Sequence, residues 1–69
     1  MKEIYVIQSI ENGQTFDRGV YTSLNRAMQA LSYMTMDSRG YTKNVDSWLI
    51  NRVNTKTHKA EVVYKIERK

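Results

Sequence analysis

The sequence predicts an α+β fold of order ββαββ. Two antiparallel hairpins form a four-stranded sheet, and one helix packs on one face. Three observations carry that expectation. Asn12-Gly13 stands between two strand-like runs, and Asn-Gly is the strongest short hairpin signal because a type I′ turn needs positive φ at both central positions. The run TSLNRAMQALSYM sets Leu24, Ala27, Met28, Leu31 and Met34 at three- and four-residue spacing, which makes one apolar helical stripe. VDSWLINRV and KAEVVYKIE then read as two more strands, joined around Asn54-Thr55-Lys56-Thr57. At 69 residues, the length suits one small domain spanning 1–69.

The first strand, EIYVIQSI (3–10), sends Ile4 and Val6 one way and Tyr5 and Ile7 the other. A strand apolar on both sides belongs mid-sheet. A two-residue loop at Asn12-Gly13 sets position 10 opposite 15, 7 opposite 18 and 5 opposite 20. The second strand then covers Thr15–Tyr21, and Val20 and Phe16 join the Tyr5/Ile7 side. Thr22 or Ser23 caps the helix by accepting a bond from a free backbone amide. The helix should run over 23–37, with Gly40 as a left-handed stop after Arg39. Met28 and Met34 fall on the stripe and read as core, while Tyr33 and Met36 read as exposed. The longest loop is DSRGYTKNV (37–45), where Arg39, Tyr41 and Lys43 alternate. It reads equally as a recognition loop or a spacer.

In the third strand Trp48 and Ile50 oppose Leu49. In the fourth, Ala60, Val62, Tyr64 and Ile66 make a dry face, and Glu61, Lys65 and Glu67 share the other face with Val63. The register between these strands stays open. A four-residue loop aligns Leu49 with Val62, and a loop one residue different aligns Trp48 or Ile50 with the dry face.

One helix covers one face of a four-stranded sheet, so apolar residues are left for the other. Tyr5, Ile7, Phe16, Trp48 and Ile50, with Val20 and Val63 beside them and Arg18 at the rim, are the candidates for that uncovered face. Contiguous exposed apolar patches mark interfaces, and small domains often gain stability by oligomerising. The expectation is a protein partner and self-association, as a homodimer. In the competing monomeric reading, loop 37–45 and the stems of Arg18 and Lys65 screen this face.

Chemistry is sparse. With no cysteine there is neither a disulfide nor a thiolate ligand for zinc. His58 is the one histidine, beside Lys59 near a hairpin tip, and reads as a solvated turn residue. The carboxylates are scattered, the serines lack a nucleophile-elbow context, and Gly13, Gly19 and Gly40 form no phosphate loop. The sequence therefore predicts no enzyme, no metal and no cofactor.

The charge is unevenly placed. Residues 1–50 carry five cations and five anions, whereas residues 51–69 carry six cations against Glu61 and Glu67, so the whole net charge of +4 lies in the C-terminal part. Arg52, Lys56, Lys59, Lys65 and Arg68 are thus candidate nucleic-acid contacts, although no aromatic RNA-binding motif accompanies them. No apolar run approaches the ~18 residues of a membrane span. The start MKEIYVIQSIENG reads as a strand rather than a signal peptide. The expected location is the cytoplasm, with no membrane partner.

The runs DRGVYTSLNRAMQAL and SWLINRVNTKT, followed by an apolar final strand, resemble short phage and prophage proteins of Gram-positive bacteria. In those, a GVYTS-type strand end leads straight into a helix and a terminal β-hairpin follows. The resemblance spans most of the chain and rests on structural motifs. It implies a small accessory protein of the bacterial cytoplasm that acts by binding a host or phage protein.

Overall fold

A computed structural model describes residues 2–36 and 45–67. Strands β1 (Glu3–Glu11) and β2 (Gln14–Tyr21) precede helix α1 (Leu24–Met36), and β3 (Ser47–Asn54) and β4 (Ala60–Glu67) follow it. The sheet has four strands in the order β2-β1-β3-β4, every neighbouring pair antiparallel. β1 is central, as its two apolar faces require. β2 and β3 flank it and run parallel to each other, so α1 forms the crossover between them. Loop residues 37–44, with Gly40, Arg39, Tyr41 and Lys43, lie outside the described residues. So do the side chain of Met36 and all of Arg68.

The first turn follows from its residues. Asn12 has φ 54° and Gly13 φ 81°, as a type I′ turn demands, and Ile10 pairs with Thr15. The pairing predicted further along is corrected. The register shifts between Ile7 and Gln8, so Ile7 faces Gly19 and Tyr5 faces Tyr21. Arg18 is the extra residue of a β-bulge, which moves every later position by one. Val20 therefore pairs with Val6 and leaves the Tyr5/Ile7 side. Gly13→Ala is expected to cost about 1 kcal/mol, because a Cβ disfavours positive φ. Urea unfolding followed by circular dichroism measures it.

The helix starts where a cap is available. Ser23 Oγ accepts from the Arg26 amide at 3.2 Å, and the Ala27 amide reaches Ser23 O at 3.1 Å. Ala27 and Leu31 are buried, while Leu24, Ala30 and Met34 pack beside them. Met28, expected in the core, sits at the rim with 36% of its surface exposed, and Tyr33 is exposed as expected.

The loop between β3 and β4 spans the five residues 55–59 and sets Val53 opposite Ala60 and Asn51 opposite Val62, and only the bulge beyond them brings Ile50 opposite Tyr64 and Trp48 opposite Ile66. At this second bulge the register shifts between Ile50 and Asn51. Val63 is its extra residue and packs against the core, correcting its placement on the polar side of the strand. Val62 and Tyr64, expected to be dry, are exposed.

The largest correction concerns the candidate interface. Ile7, Trp48 and Ile50 are at most 3% exposed and form one buried cluster with Ala27, Leu31 and Val45, against which Tyr5 and Tyr21 pack. They lie beneath the helix and not on the uncovered face. The physical reason is layer filling: the largest apolar side chains go where a second layer encloses them. The Cα frame measures 36 × 23 × 15 Å, and its thinnest dimension suits one sheet and one helix, stacked about 10 Å apart. No helix among the described residues is long and apolar enough to cross a membrane.

Candidate protein interface

Strand alternation places Ile4, Val6, Gln8 and Ile10 opposite the helix-covered residues of β1. Cross-strand pairing carries that face across the sheet. One row reads Val20, Val6, Asn51, Val62 from β2 to β4. The next reads Asp17, Gln8, Leu49, Lys65. Ile4 pairs with Val53, and Val53 with Ala60. Val20 is 60% exposed and Val62 52%, whereas Ile4, Val6, Leu49 and Val53 are half-buried. The helix packs on the other side, so among the described elements nothing lies over this face.

A polar ladder crosses the middle of this face. Asn51 Nδ2 donates to Gln8 Oε1, and Gln8 Nε2 donates to Asp17 Oδ1 at 2.8 Å. Because these groups satisfy one another, covering them costs less than burying unpaired amides. An apolar surface with its central polar groups already paired can be covered by another protein.

Phe16 and Arg18, predicted on the uncovered face, turn to the helix side instead. The Arg18 guanidinium lies 5.4 Å from the Phe16 ring centroid, donates through Nε to Ser9 Oγ at 2.9 Å and pairs with Glu11. Ser9 Oγ in turn donates to Glu11 Oε2 at 2.9 Å. Ser9 is fully buried and thereby satisfied. The Arg18 bond, with the Ser9 hydroxyl second, holds the Glu11 carboxyl below its ordinary pKa. A depressed carboxyl binds protons less tightly folded than unfolded. Its stabilisation is therefore present above the ordinary carboxylate pKa and is lost as pH falls through that value to the lower folded one. Urea midpoints measured from neutral pH into acid should fall in that window, and Glu11→Gln should flatten this part of the profile.

The predicted basic contacts do not line up. Arg52 reaches Glu3 at 3.8 Å and pairs with Glu61 on the helix side, while Lys65 sits on the opposite face, 3.3 Å from Glu67. Lys56 and Lys59 are exposed at the tip. Asn54 Oδ1 organises that tip by accepting from the amides of Lys56 at 2.9 Å and Thr57 at 3.1 Å. His58 completes the turn with φ 61° and lies outside the return strand. A cleft of about 370 Å³ lies beside Arg52, bounded by Glu3, Asn54, Lys59 and Glu61. Two carboxylates occupy its guanidinium. Among the described residues no group of three His, Cys, Asp or Glu is placed to hold a metal ion.

Ile4, Val6, Leu49, Val53 and Val62 lie on the uncovered face, a set the sequence does not single out. The available signal was relative: Gln8 and Asn51 interrupt these residues, whereas the opposite set carries Trp48, Tyr5 and Tyr21. No family model, curated protein or solved structure matches the chain.

Proposed function

We propose that this chain is a non-enzymatic protein-interaction module that self-associates through the open face of its sheet. In the phage or prophage setting its sequence suggests, it binds and modulates a bacterial or phage protein in the cytoplasm. The observation that carries this reading is the apolar face around Val6, Val20, Leu49 and Val62, over which no described element packs. At this chain length folding buries only about 60% of the unfolded surface, so association adds burial that the fold alone lacks. The nucleic-acid reading has weaker support, because Arg52 and Lys65 face opposite ways and each is engaged by carboxylates.

Affinity capture from bacterial lysate, with and without nuclease, tests the reading. The expected result is a co-purifying protein that survives nuclease and is lost with Val6→Glu. Recovery abolished by nuclease, together with a gel shift that weakens steeply with salt, would move the function to nucleic acid.

A further inference from the structure

We infer that the open face is covered by a second copy of this chain, related by a two-fold axis parallel to the strands. The inference rests on the proposed self-association and adds its geometry. Both edge strands carry a bulge, at Arg18 in β2 and at Val63 in β4. Bulged edges discourage strand addition, so the face is the better surface for a second copy.

The distribution of charge decides the axis. The row Asp17, Gln8, Leu49, Lys65 has an anion at one edge of the face and a cation at the other. A two-fold along the strands, above the space between β1 and β3, lays β2 of one copy over β4 of the other. Each row then meets its own reverse. Asp17 falls against Lys65 of the second copy, twice per dimer, and Glu67 falls over Thr15. In the adjacent row Val20 meets Val62, so the two most exposed valines cover each other. A two-fold across the strands and through this row would instead stack Asp17 on Asp17 and Lys65, with its Glu67 partner, on Lys65. Opposite charges at facing edges set the register of an isologous interface.

The area sets the strength. Four strands about 4.8 Å apart and eight residues long present roughly 500 Å² on one face. Two such faces bury about 1,000 Å², the lower threshold for a specific interface. The dimer is therefore reversible, with micromolar or weaker affinity.

Charge reversal tests the axis. Within one molecule Asp17 and Lys65 stand three strand spacings apart, about 14 Å, too far for a direct ion pair. Asp17→Lys raises the net charge and Lys65→Glu lowers it, so a general charge effect would move the two variants in opposite directions. The inferred axis makes both weaken dimerisation, on the order of tenfold, because each places like charges together. An equimolar mixture of the two variants should then recover wild-type affinity, since both facing pairs become complementary. Recovery also shows that each variant is folded. Sedimentation equilibrium reads all four samples. If the single variants dimerise as tightly as wild type while Val20→Glu releases the dimer, the axis is wrong and open-face association stands. A wild-type chain that stays monomeric at millimolar concentration removes both.

Discussion

Trp48→Ala is expected to unfold the domain, not to release a partner. Trp48 is 3% exposed and belongs to the cluster of Ile7, Leu31 and Ile50. Its row joins Ser9 on β1 to Ile66 on β4. Truncating a buried tryptophan removes its transfer free energy and leaves a cavity, together costing about 3–5 kcal/mol. Small domains hold only about 5–15 kcal/mol in total, and a chain this short sits at the low end. Far-UV circular dichroism at room temperature should show Trp48→Ala largely unfolded, or folded with a sharply lowered urea midpoint. Ile50→Ala should follow the same course with a smaller loss of about 2–5 kcal/mol. A folded Trp48→Ala variant with wild-type stability and altered association would return Trp48 to the surface and overturn the two-layer arrangement.

Val20→Glu is expected to do the reverse, keeping the fold and dissolving the proposed dimer. Val20 is 60% exposed on an edge strand and pairs with Val6 at the heart of the open face. Its replacement should cost about 1 kcal/mol or less of folding stability, the range of strand propensity at an exposed site. In the dimer the same carboxylate would be buried against apolar side chains without a partner. That placement penalises association far more than folding. The dimer dissociation constant should rise at least about tenfold while the melting temperature of the dilute protein shifts by only a few degrees. Equal losses in folding and association would mean that Val20 supports the monomer core.

The particular residues show what can be read before a structure. Asn12-Gly13 specified its turn because few residues tolerate two positive φ values in sequence, and Ile10 meets Thr15 accordingly. Ser23 and the Leu24, Ala27, Leu31 spacing located the start of the helix within one residue. The central position of β1 was legible because it is apolar on both faces. The two bulges were not. Gly19 beside Arg18 permits a bulge without requiring one, nothing beside Val63 marks one, and each bulge shifts the pairing beyond it by one position. A one-residue slip sends side chains to the other face, which is why even alternation places Val20 with Tyr5 and Ile7 while the bulged strand places it with Val6. The exchange of faces had a different cause. β1 and β3 are apolar on both sides, so alternation alone does not say which side the helix takes. Volume decides it: Trp48, Tyr5 and Tyr21 fill the space between two layers, and Val6, Val53 and Leu49 are left outside.

The valine-bearing face of the sheet is proposed to bind a second copy of the chain. Sedimentation equilibrium of the untagged protein from about 10 μM to 1 mM, the range a small and partly polar interface calls for, tests it most directly. The predicted result is a weight-average mass that climbs reversibly from the 8.1 kDa chain toward twice that value, with Val20→Glu remaining at the monomer mass throughout. A wild-type mass that stays at 8.1 kDa over the whole range, or a dimer that Val20→Glu leaves intact, would contradict it.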